Sequence, residues 1–494
     1  MFVGLLALAA LVLSLWRLEG DRSGLEIVRL DVGSTPATLY RLAGGGPAPT
    51  VVIAHGFAGS RPLMEPFALT LAQAGYQAVI FDFEGHGRNP VPMSGDVTRI
   101  DGTTQLLMDE TGRVADAALA HPGADGRLAY LGHSMASDIV VRQAIADERA
   151  GATVAVSMFS QAVDATDPRN LLVVTGAWEG MLAAEALRVL RLTDPGADAF
   201  RTVGDMAEGT ARRVVLSPGV EHVGVLYSVT SLAETRAWLD AVFDRPATEA
   251  PVPMRGGWVA LALVAVVVLA WPLAGLLPAA IGPPPPRLPA RRFAVAVVVP
   301  ALAAPLLLWP VETRILPVLV ADYLVLHFAL SGALTLALLA RFGALRGQFP
   351  APALPVALAV AAFGILLFGA VLDRYVASFF PHPGRVAIVA GLALGAVPWM
   401  LGDALLTEGG RAGVWRTVAV RVAMLASLGL AVALNFERLF FLLIILPVVL
   451  LYFLLFGMIG GWAGRRTGLP AASGAGLGLI LAWALGVTFP LFQG

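Results

Sequence analysis

The chain contains no cysteine and no lysine. Without cysteine there are no disulfides, no thiolate metal sites and no cysteine nucleophile, although this alone leaves the redox compartment open. Without lysine, every full positive charge is an arginine. Charge is also scarce. Only 14% of residues are charged, and 34 basic against 35 acidic side chains leave a formal net charge of −1. No long-range field attracts a polyanion, so a nucleic-acid partner is not expected.

Apolar residues take that place. They make up 57% of the 494 residues, with a mean hydropathy of +0.75, whereas a soluble domain is about 45–50% apolar. The excess is uneven. The first 250 residues read as a soluble α/β domain, and most of the rest is apolar runs.

The opening "MFVGLLALAALVLSLW" is long enough to enter a bilayer as a helix. It lacks a positive n-region and a clear small-x-small cleavage site, so residues 1–19 read as an uncleaved anchor, with a cleaved signal peptide as the alternative. Residues 24–245 alternate strand-like runs ("LEIVRL", "ATLYRL", "TVVIAH", "QAVIFDF", "RLAYLG", "ATVAVSMF", "NLLVVTG", "RRVVLS") with helical patterns such as "PLMEPFALTLAQAGY" and "SDIVVRQAIADERA". After the first two strands this order predicts a mostly parallel sheet of about eight strands with helices on both faces. Near-continuous apolar strands agree, because such a sheet is buried on both sides.

A proline-rich stretch, "DRPATEAPVPMRGG" (244–257), supplies the linker 246–257. Beyond it, 258–494 holds eight hydrophobic segments near 258–281, 293–309, 315–340, 353–372, 386–406, 417–435, 439–460 and 472–492. Each approaches the roughly 20 residues that cross a bilayer, so an all-α polytopic membrane domain is expected. Alternate loops hold Arg287, Arg291, Arg292, Arg341, Arg346, Arg411, Arg416, Arg465 and Arg466, while the others hold Arg314, Arg374, Arg385 and Arg438. Nine against four places the first set and the N-terminus in the cytoplasm, with residues 24–245 outside the inner membrane. Arg17, Arg22 and Arg255, flanking that domain, count the other way.

The chemistry-bearing stretch is "LAYLGHSMASDIVV". A strand leads through Gly132-His133-Ser134-Met135-Ala136 into a helix, the G-x-S-x-G nucleophile elbow with alanine in the last position. Small residues are needed because a strand turning at once into a helix leaves no room beside the serine. The helix start supplies N–H groups and partial positive charge for an oxyanion. "TVVIAHGFAGSR" ends a strand at His55-Gly56, which makes the Phe57 N–H a second oxyanion donor beside that of Met135. His55, Gly56 and His133 lie next to these donors and are expected to contact substrate. Serine needs a base, and a histidine base needs a carboxylate. "LLVVTGAWEG" places Glu179 after one strand, and "RRVVLSPGVEHVGVL" places His222 after another. The order Ser134, Glu179, His222 is that of residues at the ends of successive strands. Asp164 and Asp167 are rival acids. His86, in "VIFDFEGHGRNP", reads as part of a structural turn.

With "HGFAGS", "FDFEGHGRN", "GHSMA", "TGAWEG" and "GVEH" in order, residues 24–245 resemble the α/β-hydrolase superfamily, in its small esterase and dienelactone-hydrolase-like branch. The resemblance implies a Ser-His-acid triad acting on esters, thioesters or amides of a small-molecule or lipidic acyl substrate. It departs at Ala136 and in using glutamate where aspartate is commoner. No long lid is visible; "SQAVDATDPRN" is short, and 192–210 is expected to cover the pocket partly.

No P-loop, metal-binding cluster or repeat is found, so neither metal nor cofactor is expected. "LVADYLVLHFALSG" places Asp322, Tyr323 and His327 in one span, with Arg421 in a later span as a partner for Asp322. It reads either as an interhelical hydrogen-bond cluster or as a proton or substrate site. Asp373, Arg374, Asp403, Glu437 and Arg438 are expected near span ends, at the interface. Besides the membrane-bound serine hydrolase, two alternatives stand: a transporter-like protein with an accessory hydrolase-like domain, and a membrane acyltransferase. The oligomeric state is open.

Overall fold

A computed structural model describes residues 2–95, 100–248, 250–282, 286–312, 316–318 and 320–493, without the side chains of 444, 445 and 447. Arg314, counted above, and prolines 283–285 lie outside the described residues.

Helix α1 (Phe2–Gly20) leads into a nine-stranded sheet. Its strands are β1 (Leu25–Leu30), β2 (Ala37–Leu42), β3 (Ala48–Ala54), β4 (Gln77–Phe81), β5 (Ala124–His133), β6 (Ala150–Val156), β7 (Leu171–Gly176), β8 (Thr202–Val203) and β9 (Arg212–Ser217). The spatial order is β1-β2-β4-β3-β5-β6-β7-β9-β8. Strands β4, β3, β5, β6, β7 and β9 run parallel, and β1, β2 and β8 complete the two edges antiparallel. All eight strands read from the apolar runs are present. The ninth, β8, pairs with β9 through Thr202 and Val203. The stretch 192–210 therefore extends the sheet edge here, against the expectation of a partial cover over the site.

Helices α2 (Arg61–Gln73), α3 (Gln105–Leu119), α4 (Met135–Ala146), α5 (Gly180–Thr193) and α6 (Val229–Val242) cover both faces. Side chains alternate across a strand, and both sides of these strands are buried. Val51 and Ile53 pack with Phe67 of α2 and Trp238 of α6. Val52 and Ala54 pack with Val114 of α3 and Val140 of α4. This double burial is why the central strands read as unbroken apolar runs.

The second half is helical: α7 (Arg255–Ala274), α8 (Ala290–Leu308), α9 (Ala321–Arg341), α10 (Ala353–Ala362), α11 (Gly369–Tyr375), α12 (Val386–Leu406), α13 (Val414–Leu434), α14 (Phe436–Leu439), α15 (Leu442–Thr467) and α16 (Pro470–Thr488). A π-helical segment, Phe363–Phe368, joins α10 and α11 into one rod, Ala353–Tyr375. Among the described residues nine helices, α1 included, are long and apolar enough to cross a membrane. Each coincides with an expected span. Close packing uses small residues, as is usual without a hydrophobic drive between helices. A Cβ added at Gly395 would stand 2.4 Å from the Val325 carbonyl oxygen, and one at Gly478 2.5 Å from Val397 Cα.

The two halves are joined at one face. Arg255 at the start of α7 is buried and donates to the Leu18 carbonyl, to Asp21 (2.8 Å) and to Glu65 of α2 (2.8 Å). Arg22 and Tyr40 share the same Glu65. Arg374 pairs with Glu19, and Arg88 with Asp373 at 2.6 Å. The C-terminal tail threads between the halves. Leu491 N–H donates to Gly85 O and Met93 N–H to Leu491 O, both at 2.8 Å, and Phe492 N–H donates to Pro317 O. Arg385 donates to the Gly85 carbonyl from the helical side. Arg22, Arg255, Arg374 and Arg385 are thus engaged in the joint, which accounts for arginines on this side of the helices.

One expectation for the helical half is corrected. Arg421 reaches Asp403 (3.6 Å), and Asp322 accepts from the Leu316 N–H (2.7 Å). Asp403 lies in the last turn of α12, near a span end as expected, and is buried there. The register of neighbouring helices, invisible in hydropathy, decides which acid Arg421 meets.

Candidate active site

β5 ends at His133, and α4 begins at Met135. Ser134 alone makes the turn, at φ 56° and ψ −119°. A non-glycine residue there stores about 1–3 kcal/mol of strain, held by the Ser134 N–H bond to Val156 O (2.9 Å). Gly132 has no alternative: a Cβ would meet the Ala136 carbonyl oxygen at 2.3 Å. The Ala136 methyl group is accommodated and fully buried.

The Ser134 hydroxyl lies 2.8 Å from His222 Nε2. His222 Nδ1 donates to Glu179 Oε1 at 2.5 Å, which fixes the tautomer and leaves Nε2 to accept from the serine. The other Glu179 oxygen accepts from the Gly176 N–H and the Ser157 hydroxyl, each at 2.7 Å. Burial pushes the Glu179 carboxyl up, but the bonds from His222, Ser157 and Gly176 together outweigh it and hold it below the usual carboxylate range. Ser157 was not anticipated. Its sign in the sequence is a hydroxyl directly after the buried run of β6, where it also adopts a positive φ of 53°.

Gly56 lies against the nucleophile; a Cβ there would stand 2.9 Å from Ser134 Cβ. The next residue, Phe57, and Met135 are both partly exposed. Among the described residues, neither N–H donates to a protein acceptor. As the first residue of α4, Met135 has an N–H without an intrahelical partner.

His55 and His133 do not face an open site. His55 is fully buried, donating from Nδ1 to Gly56 O (2.8 Å) and accepting at Nε2 from the Phe83 N–H (3.1 Å). It ties the β3 loop to the β4 loop. His133 donates from Nε2 to the His222 carbonyl (2.9 Å). Burial, then the neighbouring His222 ring, lowers its pKa to about 3, so it stays neutral and braces the His222 loop. Side-chain direction at a loop cannot be read from neighbours in sequence. His86 is also buried, bonded to Glu84 O. Asp164 caps its own loop through the Thr166 and Asp167 N–H groups. No group of three or more His, Cys, Asp or Glu that could hold a metal occurs among the described residues.

Residues 45–195 match the family model described as serine aminopeptidase, S33. No curated protein matches. Solved structures with similarity include TT1662 from Thermus thermophilus (17% identity, TM-score 0.33, covering 45% of this chain and 99% of that one). Dienelactone hydrolase from Anabaena variabilis gives 17% identity and TM-score 0.32, over 44% of this chain and 96% of that one. A bacterial membrane phospholipase A gives 15% and 0.32, over 49% and 94%. With the mostly parallel sheet, the strand–elbow–helix and the family model matched over residues 45–195, the N-terminal half of the chain carries an α/β-hydrolase-like sheet, followed by a region of long apolar helices.

Proposed function

We propose that the protein is a membrane-bound serine hydrolase that cleaves an acyl bond through an acyl-enzyme. The observation that carries this reading is the continuous chain from Ser134 through His222 to Glu179, at 2.8 and 2.5 Å, on a strained elbow. Ser134 Oγ attacks the substrate carbonyl while its proton passes to His222 Nε2. Glu179 stabilises the imidazolium. The Phe57 and Met135 N–H groups bind the oxyanion, a contribution of about 3–4 kcal/mol per donor in a comparable site. The imidazolium protonates the leaving group, and water, deprotonated by His222, then releases the acyl group. Neither a metal nor a cofactor enters this sequence.

A fluorophosphonate probe should label the purified protein and fail to label Ser134→Ala. Labelling that persists in that variant ends the proposal.

The excess of arginines on the loops away from the hydrolase domain supports a cytoplasmic placement of those loops, with the domain outside the inner membrane. A cysteine-free chain makes this directly testable. Glu148→Cys should react with an impermeant maleimide in intact cells, and Arg346→Cys only after permeabilisation; the reverse pattern inverts the topology.

A further inference from the structure

The parallel strands give the site a direction. Ser134, Glu179 and His222 follow the C-terminal ends of β5, β7 and β9. The joint with the helical half uses the loops at that same edge. Phe57, after β3, packs its ring 5.3 Å from that of Phe441. Ser60 accepts from the Ser378 N–H, and Gly85 and Arg88, after β4, bond to Leu491, Arg385 and Asp373. The edge that carries the nucleophile therefore faces the apolar helices. In the sheet order β4-β3-β5-β6-β7-β9, Ser134 stands next to the covered strands, and β6, β7 and β9 continue the edge beyond the joint.

That continuing edge is apolar and open. Between residues 24 and 245, the described large apolar side chains more than half exposed are Ile100, Phe159 (56%), Trp178 (71%) and Met181 (78%). All four follow the C-terminal end of a strand: β4 for Ile100, β6 for Phe159 and β7 for the other two. Trp178 directly precedes Glu179, and Val223, 46% exposed, directly follows His222. On the helical side, the exposed Phe440 stacks edge-on against Phe441. Isolated exposed apolar residues are ordinary, but a set gathered around one site marks an interaction surface. Trp in particular suits a position where one side is apolar and the other wet.

Resting on the reading of Ser134 as nucleophile, we propose that Phe159, Trp178, Met181 and Val223, with Phe440 and Phe441 opposite, form the seat for the acyl chain of a bilayer lipid. The chain leaves the membrane between these two rims and brings its ester carbonyl to Ser134. The occupant is argued from continuity. The surface extends an interface already made with helices long enough to span a bilayer, so the tether presents this edge to lipid rather than to bulk water.

The test uses the full-length protein reconstituted in phosphatidylcholine vesicles. Turnover of vesicle-embedded 4-methylumbelliferyl oleate is compared with that of the water-soluble acetate. The wild type should favour oleate. In Trp178→Ser/Met181→Ser the oleate-to-acetate ratio should fall about tenfold, the scale of losing apolar contact in a specificity pocket, and Trp178→Phe should retain most of it. An unchanged ratio, or a wild type that prefers acetate, overturns the proposal. Fluorophosphonate labelling of Ser134 in the same vesicles reports separately on the nucleophile. Labelling with an unchanged ratio refutes the lipid seat alone, and absent labelling refutes the underlying reading.

Discussion

Among the described residues stand two serine–histidine pairs, one in each half. In the sheet-bearing half His222 Nε2 stands 2.8 Å from Ser134 Oγ; among the helices His327 Nε2 stands 3.0 Å from Ser427 Oγ. Distance alone does not separate them. The direction of the hydrogen bonds does. Ser427 donates its proton to the Ala301 carbonyl at 2.6 Å, so it receives a proton from His327 Nε2, and His327 Nδ1 in turn accepts from Tyr323 at 3.2 Å. Every proton in that chain runs away from a base role, no carboxylate among the described residues bonds to the His327 ring, and His327 is buried. His222 has the opposite arrangement: its outer nitrogen accepts, a carboxylate holds the inner one, and the ring is partly open to solvent. A Ser–His contact becomes a nucleophile only when the serine proton has nowhere else to go.

The largest effect that sharpens this contrast is in turnover. His222→Ala should lower kcat/KM at least about 10⁴-fold, because removing one member disables the whole relay. His327→Gln should stay within about twofold of wild type and lower Tm instead, since interhelical hydrogen bonds average only about 0.6 kcal/mol. Steady-state ester hydrolysis and thermal unfolding in the same detergent check both. A loss of comparable size in His327→Gln would make the two pairs equivalent and break the comparison.

Legibility in the sequence follows the range of the physics. The eight strands and nine long helices were readable because burial on both faces, or lipid-length runs, leave local periodic signals. The placing of Ser134, Glu179 and His222 at one edge was readable because parallel strands put their following loops together. The roles of His55 and His133 were not, since a ring beside an elbow can turn inward to brace it. Nor was the Asp403–Arg421 pairing, or the C-terminal tail threading between Met93 and Pro317. These depend on contacts between segments far apart in the chain, whose registers hydropathy does not encode.

A smaller effect tests the same lesson on carboxylates. Glu179 and Glu110 each accept three hydrogen bonds. Glu110 takes its bonds from Thr35, Asn89 and the Glu84 N–H. Burial nevertheless dominates, and with Glu84 nearby the Glu110 carboxyl is pushed up to about 7 from 4.5. Glu179, with His222 as partner, is held down. Because the folded pKa of Glu110 is raised, its stabilising contribution is complete below pH 4.5 and is lost as pH rises towards 7. The folded state holds the proton in that window and the unfolded chain does not, so stability falls with pH. At about 1.4 kcal/mol per unit, the ceiling is about 3 kcal/mol. Glu110→Gln, which keeps an acceptor oxygen for the Thr35 and Asn89 donors without the charge, should flatten that slope between pH 4.5 and 7 in denaturant titrations, leaving the variant more stable than wild type at pH 8. An unchanged slope would mean that the three hydrogen bonds offset burial at Glu110 as fully as they do at Glu179, and that a histidine partner is not what separates them.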